Sequence, residues 1–343
     1  MNKEFKSFLG LPGAGEIHRC YYPLKCDTYG RGCSNNCSYC YSKSVLFFRN
    51  LWDNENPATI DPNKLDKILY DSLVNDKKGD IPSYIRHRQP LRLGAMTDCF
   101  SDAEIENETT YKVLQILKKY KYPVLILTKN KLVATDKYLK VLDPDLGYIQ
   151  LTITTPYDDI AALYEEKASS TTERLEALKI LGDAGFATAV RINPMFPMYK
   201  DGHFSRGVKS EKFKYFDWTL IDLIKKYKGQ TVIAGFVRLS SWNIRWIKEK
   251  TGEDLSWLFD QDEKQKNSAL HFTLEEKRYY YEKAKKQCDK LGLDFSVCYD
   301  GDDSYDEFRY LWKNQDDCCN GKGRIKGFTV AWDFERMKLG KMK

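Results

Sequence analysis

The sequence predicts an α/β protein, a partial (β/α)6 TIM-like barrel with a C-terminal extension. Short apolar or alternating runs recur along the chain with helical patterns between them, which is the signature of parallel βαβ units. At 343 residues the chain is long for one average domain and suits a barrel with an appendage. About six repeats favour an open barrel over a doubly wound sheet, although periodicity by itself does not separate the two topologies. No internal repeat and no low-complexity tract interrupts the pattern.

The elements follow in order. The first barrel strand is expected just before Cys33, and further strands at residues 90–97, 123–129, 148–154, 187–192, 231–239 and 293–299. Helices are expected at 63–74, 106–120, 172–184, 212–227 and 274–291. Ser170, Thr171 or Thr172 can cap the helix that opens at Glu173, and Gly185 follows its last turn, where a left-handed C-cap belongs. Thr273 and Gly292 bracket the last helix in the same way. Residues 1–240 are expected to form the core barrel with its N-terminal segment. Residues 241–343 form the extension, which binds substrate or completes the barrel.

Composition narrows the class. Hydrophobic residues make up 42% and charged residues 30%, and no apolar stretch is long enough to span a bilayer. The N-terminal stretch lacks an apolar h-region with a small-residue cleavage site, so the expected location is cytoplasmic, with no membrane partner. The net charge of +6 is a small difference between 55 basic and 49 acidic residues. It permits a polyanionic partner without requiring one. Ten cysteines without an export signal point to thiolate ligands or redox chemistry rather than to disulfides.

Three of those cysteines carry a motif. Gly32-Cys33-Ser34-Asn35-Asn36-Cys37-Ser38-Tyr39-Cys40-Tyr41 contains Cys-x3-Cys-x2-Cys. Thiolates at this spacing can wrap one face of an iron–sulfur cube and leave its fourth iron without a protein ligand. Zinc usually takes four protein ligands, and ferredoxins supply four cysteines, whereas this triad stands alone. In a barrel the loop after the first strand lies at the C-terminal face, where substrates bind.

With its aromatic before the third cysteine, the segment resembles the radical SAM superfamily, and residues 22–197 resemble its spore photoproduct lyase-like branch. The resemblance implies a radical SAM barrel in which Cys33, Cys37 and Cys40 hold a [4Fe–4S] cluster. It implies S-adenosylmethionine (SAM) on the open iron, cleaved reductively to a 5′-deoxyadenosyl radical that abstracts hydrogen from a substrate. An electron donor such as flavodoxin or ferredoxin follows as a partner.

The resemblance also distributes roles. Gly94-Ala95-Met96-Thr97-Asp98 is similar to the segment that approaches the SAM amino group, which makes Thr97 and Asp98 candidate contacts; Tyr39 joins them from the cluster loop. Cys99 is the candidate hydrogen-atom donor, although the family's cysteine aligns nearer Met96. Lys129, after Thr128, looks like the lysine on the SAM carboxylate. Thr154 falls on the strand whose small polar residues face the cofactor. Arg174, a cation in the first turn of a helix where the macrodipole disfavours it, forks onto the SAM carboxylate or pairs with Glu166. Arg191 or Asn193 touches the ribose, and Phe196-Pro197 completes that strand end. Gly235-Phe236-Val237-Arg238 ends a sixth strand without a transferable role.

Cys288, Cys298, Cys318 and Cys319 form a later group, weighed as ligands of a second iron–sulfur cluster against a reactive thiol pair or plain structure. The branch suggests a pyrimidine or modified base in DNA as substrate. Residues 84–88, Arg245-Trp246 and residues 322–343 interleave basic and aromatic side chains in a way that suits phosphate contact and base stacking. A peptide or small-molecule substrate is the alternative, and a non-catalytic iron–sulfur sensor the third reading.

Overall fold

A computed structural model describes residues 6, 8–10, 20, 22, 24–53, 56–195, 217–252, 254–258, 272, 274–298, 303–314 and 317–326. Seven parallel strands lie side by side in chain order. They are β1 (Lys25–Cys26), β2 (Leu91–Leu93), β3 (Val124–Thr128), β4 (Gly147–Thr152), β5 (Ala187–Met195), β6 (Thr231–Phe236) and β7 (Asp294–Val297). In this order every crossover steps the same way, so right-handed connections put the helices on one face and leave the other concave. A doubly wound sheet would reverse at a switch point. The topology is therefore the open barrel. Strands β1–β6 form its six-repeat core, and β7, from the C-terminal part of the chain, extends it against β6. Leu9–Gly10 pairs antiparallel with β1 at the other edge.

The strands read as apolar runs because the helices bury one side of them and the barrel interior the other. All six residues of β4 and of β6 are buried. Helix Thr109–Lys119 packs Val113, Leu114 and Leu117 onto the sheet, and burial of each such side chain contributes about 1.5–3 kcal/mol. Helix Thr171–Asp183 is capped by Ser170, one of the three candidates, through a capping box with Glu173. Gly185 follows at φ +86°, a left-handed conformation that glycine adopts without strain.

Two expected helices differ. The one at 106–120 is split into Asp102–Asn107 and Thr109–Lys119, with Glu108 between them at φ 50°. The cause is Glu104, wholly buried, whose carboxylate accepts from the backbone N–H of Thr110 at 2.7 Å and of Tyr111 at 2.8 Å. It caps the second helix and ends the first. The helix expected at 212–227 covers Thr219–Lys226, and residues 212–216 lie outside the described residues. So do Tyr299, Phe196-Pro197 and residues 327–343.

Residues 317–326 cover the N-terminal ends of the strands. The Lys326 N–H donates to the Asp145 carbonyl just ahead of β4, and the Tyr148 hydroxyl donates to the Cys319 carbonyl at 2.6 Å. The Asp317 carboxylate accepts from the Tyr22 hydroxyl at 2.7 Å and from the N–H groups of Cys319, Gly321 and Lys322. This segment is the floor of the barrel. The opposite end, where the strands finish, is the mouth.

Candidate active site

The cysteine loop sits at the mouth, and its turns are local. Asn36 takes a left-handed φ of 45°, tolerable for asparagine, and its N–H reaches the Cys33 carbonyl at 3.2 Å. The Cys40 N–H returns to the Cys37 carbonyl at 3.2 Å, and Cys40 then opens helix Tyr41–Phe48. Cys33 and Cys37 are buried and Cys40 is half-buried.

Four distant segments fasten the loop. Asn35 donates to Asp98 Oδ2 at 2.9 Å and accepts from Asn130 at 3.2 Å. The Ser38 N–H donates to the Tyr164 carbonyl at 2.9 Å. Asn243 Nδ2, from helix Ser241–Thr251, donates to the carbonyls of Ser38 at 3.0 Å and Cys40 at 3.2 Å. None of Asn35, Asn130, Asn243 or Glu165 stands out in the sequence. An asparagine between Cys33 and Cys37 is the one available hint.

Asp98 is more heavily engaged than its sequence context suggests. Besides Asn35, its carboxylate accepts from the Thr128 hydroxyl at 2.7 Å and from the N–H groups of Lys129 at 2.7 Å and Phe100 at 2.9 Å. A carboxylate offers about four acceptor positions. Protein donors occupy them. The Asp98 N–H in turn lies 3.5 Å from Cys33 Sγ.

Arg174 is not paired with Glu166. It forms a fully buried ion pair with Glu165, and its Nε and Nη1 donate to the carbonyls of Ser169 at 2.7 Å and Thr152 at 2.8 Å. The Tyr39 hydroxyl and the Thr154 hydroxyl, the latter at 3.2 Å, also donate to Glu165. Glu165 follows helix Asp158–Tyr164 and turns inward, whereas Glu166 points out and pairs with Lys250 at 2.6 Å. Burial works to raise the Glu165 carboxyl, but Arg174, Lys129 and the Tyr39 bond outweigh it and hold it below its ordinary value.

Lys129 stands beside this network. Burial pulls its ammonium down, while Cys37, Glu165 and Asp98 hold it up, and the balance leaves it above its ordinary value. The ammonium lies 5.8 Å from the centre of the Tyr39 ring and has no hydrogen-bond or ion-pair partner among the described residues. It is a fixed cation at the mouth.

The remaining candidates separate. The Thr97 hydroxyl donates to the Tyr29 carbonyl at 2.6 Å. Cys99 is wholly buried, with its sulfur 3.9 Å from the Leu127 carbonyl, and burial pushes its thiol well up. Arg191 and Asn193 lie on β5, with Asn193 against the bare Cα of Gly235. Of the basic–aromatic stretches, 84–88 has its tyrosine inside and His87 exposed. Tyr84 is buried, Arg86 pairs with Asp76 at 3.4 Å, and Arg88 lies over the Tyr122 ring.

The spacing of the three thiols is compatible with a cube. Among the described residues no three His, Cys, Asp or Glu side chains converge on one point that could hold a metal ion. A cube spreads three thiolates over three irons, so convergence is not required. Burial first, then Asp98, pushes the Cys33 thiol up to about 12, so a thiolate there needs a cationic metal for compensation.

No family model and no curated protein matches the chain. Solved structures do. A tyrosine-to-phenylalanine variant of spore photoproduct lyase superposes with TM-score 0.60 at 13% identity, covering 87% of this chain and 81% of that one. A cysteine-to-alanine variant with dinucleoside spore photoproduct gives TM-score 0.60 at 14% identity over 87% and 80%. Spore photoproduct lyase complexed with the same compound gives 0.57 at 14% over 86% and 80%. The chain has the partial-barrel fold of these structures. Within that class its similarity is to spore photoproduct lyase.

Proposed function

We propose that this chain is a radical SAM enzyme acting on a nucleic-acid base. The observation that carries it is the loop of Cys33, Cys37 and Cys40 at the mouth of a parallel barrel, beside the unpaired ammonium of Lys129. When bound, a [4Fe–4S] cluster reduced by a flavodoxin- or ferredoxin-like donor, together with SAM, supplies a 5′-deoxyadenosyl radical that can take hydrogen from a C–H bond.

The chain's own residues bind and position. Cys33, Cys37 and Cys40 hold the cluster, and Lys129 meets the SAM carboxylate. Asp98 and the Glu165–Arg174 pair hold the loop, β3 and Tyr39 in register, because their polar atoms are already taken by protein partners. We read both as positioning residues rather than SAM contacts. Thr97 and Thr154 serve the same framework. Cys99, sealed beneath β3, packs and does not donate hydrogen.

The substrate class rests on the surface beside the mouth. Phe47 and Phe48 are 42% and 65% exposed on the helix that leaves Cys40, and they meet Trp242 and Trp246 at ring separations of 5.2–5.8 Å. Lys43 lies 4.5 Å over Trp246 and Arg245 lies 5.7 Å over Trp242. Partly exposed rings in tilted and edge-to-face contact, with cations over two of them, offer faces on which single-stranded or extruded bases can stack.

The test is anaerobic reconstitution. About four irons per chain and dithionite-dependent 5′-deoxyadenosine are expected, and both should be lost in Cys37→Ala. Full 5′-deoxyadenosine formation by Cys37→Ala would sink the cluster assignment. With deuterated DNA, nucleoside and peptide pools, deuterium should enter 5′-deoxyadenosine from DNA or nucleosides. Transfer from the peptide pool alone would overturn the substrate class.

A further inference from the structure

Two arginines meet inside the barrel with no carboxylate between them. Arg92 stands on β2 and Arg191 on β5, three strand spacings apart, roughly 14 Å on a flat sheet. Side chains so placed converge only across the concave face. Their hydrogen-bond partners differ, but both feel the charge of Cys319, and Arg92 feels that of Arg191. Arg191 Nη2 donates to Cys298 Sγ at 2.9 Å, and Nη1 donates to Gln150 Oε1 at 3.0 Å and lies 3.9 Å from Cys319 Sγ. Arg92 Nη1 donates to Cys20 Sγ at 3.1 Å, and its Nε is buried without a hydrogen-bond partner. Neither guanidinium has an aspartate or glutamate within ion-pair distance among the described residues.

A guanidinium withdrawn from water costs several kcal/mol unless an anion meets it. The thiols meet only part of that need. Burial pushes Cys298 up, the Cys319 bond and burial push Cys318 up, and only Cys319 is held below its ordinary value, first by Cys318. Only one of these thiols is eased toward its anion, and Asp27, whose carboxyl Arg92 pulls down while burial pushes it up, forms no ion pair with Arg92. The fields of the two arginines also oppose each other. Arg191 adjoins the floor segment 317–326 through Cys319.

We infer that Arg92 and Arg191 form a site for an oxyanion of the substrate, a phosphate or carboxylate bound between two planar forks. This rests on the reading of the chain as an enzyme whose substrate enters the barrel, and it adds a charge to that substrate. Arg191 then serves the substrate rather than the SAM ribose. Bidentate geometry suits both oxyanions, and on the nucleic-acid reading the group is the phosphate next to the base.

Calorimetry on the full chain, with neither reductant nor SAM, tests it using thymidine 5′-monophosphate, thymidine and N-acetylglycine. Thymidine 5′-monophosphate should bind at least about tenfold more tightly than thymidine, with the gap shrinking as salt rises. Arg92→Gln and Arg191→Gln should each close the gap, and Arg92→Lys, which keeps the charge without the fork, should narrow it. Tighter binding of N-acetylglycine supports the site and assigns its anion to a carboxylate. Equal binding of nucleotide and nucleoside with no binding of N-acetylglycine overturns the inference in the unaltered chain, whatever the variants' folding. Loss of the gap in Cys298→Ser overturns it too, because the thiols would then be what the arginines serve. Binding with the expected preference but without 5′-deoxyadenosine under reduction would refute the proposed function alone. SAM cleavage without that preference would refute only the oxyanion site.

Discussion

At the mouth of the barrel Glu165 and Arg174 neutralise each other, and the Tyr39 and Thr154 hydroxyls donate to the same carboxylate; in the lumen Arg92 and Arg191 face thiols and an amide. Both places are buried, yet their charge balance differs. A closed pair spends its polarity on holding backbone segments together, which is scaffold work. An open pair keeps its polarity for something that arrives. The same distinction separates Asp98, surrounded by donors, from Lys129, which has none of its own.

The comparison can be broken most directly by deleting one charge at each place. Arg174→Met strands Glu165 and should cost about 3–5 kcal/mol in urea unfolding of the metal-free protein. Arg191→Met removes an uncompensated charge and should stay within about 1 kcal/mol of the parent or gain stability. Equal losses would erase the distinction.

Acid repeats that experiment without a mutation. Because Glu165 is held below its ordinary value of 4.5, its contribution is fully present above that pH and is lost as pH falls through its lower folded value. In Arg174→Met burial acts with less opposition, so the sign should reverse and stability should rise as Glu165 takes up a proton. Unfolding midpoints between pH 3 and 6, bracketing about one unit either side of the carboxylate range, would show it.

Asp98→Asn comes next. It points an amide N–H2 at donors from Asn35, Lys129 or Phe100, and should cost about 1.5–3 kcal/mol, with weaker iron retention because the loop loses its tie. The smallest effect is Ser170→Ala, which uncaps the helix carrying Arg174 and should cost about 1 kcal/mol while leaving iron content unchanged.

Much of the barrel was legible in the sequence because β3 to β6 are apolar runs covered on both sides, a pattern that needs no knowledge of partners. The cysteine triad was legible for a similar reason, since its meaning lies in local spacing. What fastens the triad was not. Asn35 reaches Asp98 and Asn130, 63 and 95 residues on, and Asn243 reaches back about 200 residues to Ser38 and Cys40. Arg174 drew notice from its place in a first helical turn, but the partner expected was Glu166 or the SAM carboxylate, and the one found is the neighbouring Glu165. Which of two adjacent glutamates faces inward depends on how helix Asp158–Tyr164 ends, and that is set by packing. The split at Glu108 was hidden likewise, because Glu104 acts as a cap only once it is buried.

The floor segment has a consequence for how the protein comes into being. Asp317 closes onto Tyr22 across 295 positions of the chain, and the residues around it emerge from synthesis after every barrel strand. Until they arrive, the ends of β4 and β7 lack the cover that residues 317–326 give them, and Arg191 lacks Cys319 as a neighbour. A nascent chain can thus finish its sheet and its cysteine loop while the chamber beneath stays open to water. The cover thus waits on residues 317–326, so a copy cut short before them would carry the loop without a floor beneath the barrel.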